Sequence, residues 1–221
     1  MLTTPRAAAI AGILFAVLMI TSLVLMRISI PANPQDAIGW APESWDSVTL
    51  ALNLVPFAGI AFLWFIGVVR DQLGQSEDRF FATAFLGSGL LFLAMMFDSA
   101  AVAGGTIKLF QVSSKQIIES GVYMFGRTVT YETMNVYSLK MAGVFMMTSC
   151  TLFLRTGILP RWMVFLGFIL AVVLLLSLGI FDWAPLVFPL WILLISVHIL
   201  LANLRRSKNQ DANLTTQDNL R

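Results

Sequence analysis

The sequence contains very few of the residues from which metal centres and disulfide frameworks are built. Its 221 residues include one cysteine, Cys150, and one histidine, His198. A lone thiol can form no internal disulfide and no thiolate cluster, and the apolar segment around His198 contains no carboxylate that could complete a metal site. No cofactor fingerprint or catalytic signature stands out either. The sequence therefore predicts neither a metal nor a cofactor.

Charge is also scarce. Asp, Glu, Lys and Arg make up 12% of the chain, whereas a typical soluble domain contains about 25%. The net charge of +2 is too small to indicate nucleic-acid binding, because the basic residues are spread over the ends of apolar segments. These absences exclude most soluble and nucleic-acid-binding classes. They predict the lipid bilayer as the main partner and leave any protein partner open.

Long apolar runs fill more than half of the sequence. A bilayer core of about 30 Å requires roughly 20 helical residues, and within lipid a single segment satisfies its backbone only as a helix. The first run is too long for a secretion signal and reaches Arg27 without a cleavage pattern, so we interpret it as a retained helix. The sequence predicts an all-α, polytopic transmembrane bundle of six helices at residues 7–26, 48–69, 80–104, 136–154, 162–180 and 184–204.

The basic residues predict the orientation of this bundle. With a cytoplasmic N-terminus, four Lys and Arg residues lie outside and one, Lys140, lies inside a helix. Loops with an excess of Lys and Arg stay in the cytoplasm, so both termini are predicted to be cytoplasmic. The nine basic residues on the cytoplasmic side are Arg6, Arg70, Arg79, Arg155, Arg161, Arg205, Arg206, Lys208 and Arg221.

The connections divide the chain into one membrane domain, residues 1–206, and a tail, residues 207–221. The tail is rich in Asn, Gln, Asp and Thr and is predicted to be disordered. Residues 105–135 form the longest outer connection, and their apolar residues recur loosely at helical spacing. We predict either an interfacial helix lying on the bundle or a helical extension of the fourth segment there.

Three polar residues in the outer half of the predicted membrane region mark a candidate binding site. Asp98 and Lys140 lie about 9 Å and 6 Å outside the midplane of their helices, and Asn53 lies in the same half. Ionisable residues within a bilayer usually face the bundle and find a partner. We predict that Asn53, Asp98 and Lys140 line an outward-facing polar pocket. The structural alternative is that Lys140 extends to the interface and Asp98 interacts with a helix end.

These positions suggest an integral membrane protein that binds or transports an ion or small polar solute. A non-catalytic scaffold or regulatory subunit is the main alternative. Ser88 and His198 lie at similar depth in the inner half, which permits a third hypothesis, an intramembrane Ser/His hydrolase. This hypothesis requires the two side chains within hydrogen-bond reach. Without such a contact the sequence assigns no catalytic residue.

Two sequence stretches resemble a known family. The run FLWFIGVVRD, followed by EDRFFATAFLGSGLLF, is similar to a family of bacterial six-helix membrane proteins that has no assigned activity. The segment from LPRW to FLG, residues 159–167, is similar to a turn found in several such families. The resemblance implies a multi-pass protein of the bacterial inner membrane. It implies no substrate and no catalytic residue.

Overall fold

The computed structural model describes residues 4–30, 43–73, 79–177 and 183–218, which are almost entirely helical and contain no strand. The prediction of an all-α fold is thereby confirmed. The elements are α1 (Thr4–Ser29), α2 (Glu43–Leu73), α3 (Arg79–Val112), α4 (Ser114–Glu119), α5 (Val122–Glu132), a π-helical segment (Thr133–Ser138), α6 (Leu139–Thr156), α7 (Arg161–Leu176), a 3-10 turn (Ala184–Leu186) and α8 (Val187–Asp218).

Five of the described helical stretches are long and apolar enough to cross a membrane. They are α1, α2, α3, α8 and the continuous run Val122–Thr156, which joins α5, the π-helical segment and α6. Helix α7 is apolar but has only 16 residues. It ends at Leu176, and the backbone of Ser177 is extended with ψ of 126°. The predicted fifth segment, 162–180, is therefore shorter than expected, and residues 178–180 lie outside the described part.

The connection from α3 to α6 is helical throughout most of its length. Helix α3 continues past the predicted end at residue 104 to Val112, and α5 runs directly into α6. Of the two predicted alternatives, the helical extension is the one that the structure contains. We call residues 105–132 the outer hairpin, and the end of the bundle that carries it the outer end.

Close backbone approach and a small apolar cluster hold the outer hairpin together. Gly126 on α5 faces Thr106 on α3 so closely that a Cβ atom would overlap the threonine side chain. Phe110 and Tyr123 pack with their ring centroids 5.4 Å apart, against Ile117 and Ile118 of α4. The hairpin is thus a packed unit continuous with the bundle.

The helices pack into a closed ring whose centre is filled by aromatic rings. Helix α1 lies between α2 and α8, and α6 lies between α3 and α7, while α8 also touches α6 and α7. We call the residues that meet at the centre the phenylalanine cluster, and each is almost fully buried. Its members are Phe15, Phe62, Phe65, Phe85, Phe92, Phe145 and Phe188. The centre of the bundle is therefore dense and apolar.

The inner turn between α6 and α7 follows its sequence signals. Gly157 ends α6 with φ of 65°, a left-handed conformation that glycine adopts without a Cβ clash, and its N–H donates to the carbonyl of Phe153. Pro160 then precedes α7 in an extended conformation. Nearby, the Arg155 guanidinium lies 4.6 Å from the centre of the Phe81 ring, which ties α6 to the start of α3.

Helix α8 continues beyond the predicted end of the membrane domain. It reaches Asp218, so residues 207–218, predicted to be disordered, are helical in the structure. No Gly or Pro interrupts the sequence after Pro189, and without a helix breaker the geometry propagates by one hydrogen bond per residue.

Candidate functional site

No hydrogen bond or ion pair joins the three residues predicted to form a pocket, all of which lie in the described chain. Asn53 on α2 and Asp98 on α3 are both exposed, whereas Lys140 on α6 is half-buried. Asp98 and Lys140 both belong to the described chain, and no ion pair joins them. The predicted pairing is therefore not formed. A ligand-binding role for the three residues remains a prediction.

Lys140 instead stabilises the end of a neighbouring helix. Its Nζ donates to the carbonyl oxygens of Leu175 at 3.0 Å and Ser177 at 3.3 Å. The last carbonyls of a helix have no intrahelical donor, and a cation at a helix C-terminus also interacts favourably with the macrodipole. Lys140 thus caps α7 from α6, and this contact explains a lysine inside an apolar segment.

Ser88 and His198 do not form the contact that a hydrolase would require. The Ser88 hydroxyl donates to the carbonyls of Ala84 at 2.6 Å and Phe85 at 3.2 Å, both in its own helix. No hydrogen bond joins it to His198. A nucleophile and its base must lie within hydrogen-bond reach, so this arrangement does not support the hydrolase hypothesis.

A partly open groove lies at the outer end of the bundle. It has a volume of about 140 Å³ and runs between α1, the end of α3, the face of α5 and the π-helical segment, and the 3-10 turn that precedes α8. We call it the outer groove. The described residues that line it are Leu23, Met26, Arg27, Ile30, Ala103, Thr106, Ile107, Tyr123, Gly126, Arg127, Thr130, Tyr131, Met134, Asn135, Trp183, Pro185 and Leu186.

The outer groove is long and narrow. Its lining residues on the α5 side extend from Tyr123 to Asn135, which at 1.5 Å per helical residue corresponds to about 18 Å. The volume of about 140 Å³ is close to that of an engineered 150 Å³ cavity that holds one benzene ring. This volume is small for the length, so only a slender ligand that lies partly outside the open groove matches it.

The charged residues among the described lining of the outer groove are both arginines. Arg127 is half-buried on α5, and Arg27 lies at the end of α1 with its guanidinium 6.0 Å from the centre of the Trp183 ring. None of the described lining residues is acidic. Guanidinium groups bind carboxylate and phosphate oxygens through paired N–H donors. The described part of the outer groove therefore combines apolar walls with two guanidinium groups.

One buried polar group of the outer groove has no hydrogen-bond partner among the described residues. Asn135 is 1% exposed, and its Oδ1 has no partner. The Tyr123 side chain is 5% exposed, and its hydroxyl forms no hydrogen bond to a described residue. A buried polar group without a partner costs free energy, and a bound water or a ligand group can supply the missing hydrogen bond.

The π-helical segment explains the position of Asn135. Asn135 Nδ2 donates to the Tyr131 carbonyl at 3.1 Å, and Thr133 Oγ1 donates to the Val129 carbonyl at 2.8 Å, each four residues back. Side-chain donors that bind these carbonyls compete with the helical ladder and loosen it. Residues 133–138 form a π-helical segment, and such segments occur frequently at functional sites. Because Nδ2 faces Tyr131, the amide oxygen is the atom left without a partner.

The phenylalanine cluster closes the bundle below the outer groove. Leu23 is the deepest groove residue on α1, and Phe15 lies eight residues before it, about 12 Å further in. Phe15 packs on Phe62 at 4.6 Å and on Phe188 at 5.9 Å between centroids. These rings lie across the axis, so the outer groove ends within the outer half of the bundle.

The sequence contains a signal for the outer groove that the prediction did not use. The spacing of Tyr123, Gly126, Arg127, Thr130, Tyr131, Met134 and Asn135 is that of a single helix face. Because residues 105–135 were interpreted as a connection, this periodicity was not followed into the fourth segment. Comparisons with family models, curated proteins and solved structures find no match to the chain.

Proposed function

We propose that the protein is a six-helix protein of the bacterial inner membrane with both termini in the cytoplasm. The five long apolar helices and the excess of basic residues at the inner ends support this orientation. Helix α7 then crosses as the sixth span. Its 16 residues extend about 24 Å, and a short span is accommodated by local thinning of the bilayer.

The orientation predicts which introduced thiols are accessible from outside the cell. Ser120 lies on the outer hairpin and Thr156 at the inner turn, and both are exposed, whereas the native Cys150 is buried. We expect Ser120→Cys to react with an impermeant maleimide in intact cells and Thr156→Cys to react only after the cells are opened. Labelling of Thr156→Cys alone in intact cells would reverse the assignment.

The function that the outer groove supports best is the binding of an elongated amphiphile with one hydrocarbon chain and an anionic group. The observation that carries this proposal is a narrow apolar groove of about 140 Å³ whose charged lining residues, Arg27 and Arg127, are both basic. Apolar walls favour the chain by removing it from water, and guanidinium groups favour the anion.

Binding agrees with the interior better than transport does. A transport pathway needs polar groups that replace hydration along the axis, whereas the phenylalanine cluster fills that axis with buried rings. We therefore propose an outward-facing binding protein. A small polar solute, predicted from Asn53, Asp98 and Lys140, would find none of these three residues in the outer groove.

A pair of matched variants tests the outer groove. Ala103 lies in the groove wall at 6% exposure, and Ala101 is exposed on the other side of the same helix. We expect Ala103→Phe to weaken binding of a fluorescent fatty acid by the purified protein at least tenfold, because the ring occupies the chain site. Ala101→Phe should keep wild-type affinity. Both variants should melt within a few degrees of the wild type.

Three outcomes would contradict the proposal. The first is equal affinity of the two alanine variants, which would place the ligand outside the outer groove. The second is the absence of fatty-acid binding by the wild type. The third is uptake of a solute by sealed vesicles containing the protein, which would require a path past the phenylalanine cluster.

A further inference from the structure

The amide oxygen of Asn135 in the outer groove needs a hydrogen-bond donor, which a plain hydrocarbon chain does not have. Its Oδ1 exposes almost no surface and has no partner among the described residues, while Nδ2 is fixed on the Tyr131 carbonyl. Since the fixed NH₂ group sets the orientation of the amide, the unmet group is an acceptor. Only a donor, such as a hydroxyl, can satisfy it.

The opposite end of the outer groove presents donors. Tyr123 and Arg127 are four residues apart on α5, so their side chains share one face, and the Tyr123 hydroxyl makes no hydrogen bond there. A phenol and a guanidinium side by side can both donate to one carboxylate. The anionic group of the ligand thus belongs at this end, and its chain points towards Asn135.

The two ends set the length of the ligand. Arg127 and Asn135 are eight residues apart on the same continuous helix, which corresponds to about 12 Å. The wall between them includes Met26 and Met134. Methionine side chains are unbranched and rearrange at small cost, so they can admit a chain to the enclosed amide oxygen.

We propose that the outer groove selects single-chain carboxylates that carry a hydroxyl about 12 Å from the carboxylate. The Asn135 amide oxygen would accept a hydrogen bond from this hydroxyl. This inference rests on the proposed binding function and specifies its ligand class. A chain without the hydroxyl leaves a buried acceptor unpaired, and that penalty corresponds to about a tenfold difference in affinity.

The test uses two acids of equal chain length, decanoate and 10-hydroxydecanoate, and the hydroxyl of the second lies at about the proposed distance from the carboxylate when the chain is extended. Both compete with a fluorescent fatty acid for the full-length protein in detergent. Free concentrations are corrected for partition into micelles. We expect the hydroxy acid to bind about tenfold more tightly to the wild type. In Asn135→Leu the preference should disappear, while decanoate binds at least as well as before. Gln111→Leu, at an exposed position of α3 outside the groove lining, should leave the preference unchanged.

A second variant separates loss of the Asn135 acceptor from misfolding of the π-helical segment. Asn135→Ser keeps a side-chain donor for the Tyr131 carbonyl, as the neighbouring Ser138 does for the Met134 carbonyl. Its only oxygen lies against the helix backbone, so the acceptor no longer extends into the groove. It should melt near the wild type and lose the preference. Retained preference in a folded Asn135→Ser or Asn135→Leu protein would overturn the assignment of this residue.

The outcomes separate the two proposals. If neither acid binds the wild type, the binding function itself is wrong. If both acids bind equally and Ala103→Phe abolishes binding of both, the outer groove is correct, and the selective role of Asn135 is wrong. In that case a bound water occupies the place of the hydroxyl. If two-chain lipids compete as well as the hydroxy acid, the single-chain class is wrong.

Discussion

Replacement of Phe62 by alanine should produce the largest loss of stability of any single truncation in this bundle. Phe62 is fully buried on α2, with neighbouring ring centroids at 4.6 Å for Phe15, 5.2 Å for Phe145 and 5.6 Å for Phe188. Burial of a phenylalanine in a protein core is worth about 3–5 kcal/mol, which combines a transfer term with a cavity term. In a membrane the transfer term is small, so we expect a loss of about 3 kcal/mol.

A matched control exists on the same helix. Phe57 is 62% exposed and faces away from the core, so Phe57→Ala leaves no cavity, and we expect a change of less than about 1 kcal/mol. Reversible unfolding in mixed micelles measures both values. Similar losses for the two variants would mean that Phe62 does not occupy the centre of the bundle.

Replacement of Lys140 by methionine should cause the second-largest effect. The change removes a charged donor and leaves the carbonyls of Leu175 and Ser177 without its hydrogen bonds. Hydrogen bonds to charged groups contribute about 1.5–3 kcal/mol, and we expect a loss of stability in this range. Lys108→Met is the control, because Lys108 is exposed on the outer hairpin, and its change should stay within about 0.5 kcal/mol.

The same variant tests the pairing that the sequence suggested. If Lys140 caps α7 and Asp98 faces outward, the effects of Lys140→Met and Asp98→Asn should add within about 0.5 kcal/mol. A double mutant that recovers a substantial part of the loss would show that the two charges interact. That result would restore the predicted pair and contradict the cap.

The sequence was sufficient to predict the long apolar helices because their cause is local. Any run of about 20 apolar residues must satisfy its own backbone in lipid, whatever its neighbours are. The runs at 7–26 and 48–69 accordingly lie within α1 and α2, and the run at 184–204 covers the 3-10 turn and the first part of α8. The fifth run was predicted too long, because hydropathy does not register the end of α7 at Leu176.

The outer connection shows where local signals were present but ambiguous. Apolar residues such as Ile107 and Phe110 recur at helical spacing, which fits either an interfacial helix lying on the bundle or a helical extension of the fourth segment. The close approach of Gly126 to Thr106 is what selects the extension. Such an approach joins residues 20 positions apart in the sequence, and no periodicity in one segment specifies it.

The candidate site depended on contacts between helices. The sequence by itself determined that polar groups such as Asp98, Lys140 and Asn135 must lie on apolar helices, since composition fixes what each segment contains. Only the tertiary structure decided which groups are satisfied. Lys140 finds carbonyls on α7, while the Asn135 oxygen faces a groove shared by several helices. Hydrogen bonds act over about 3 Å. The partner of a buried polar group therefore depends on how the helices pack, which the sequence of a single segment does not specify.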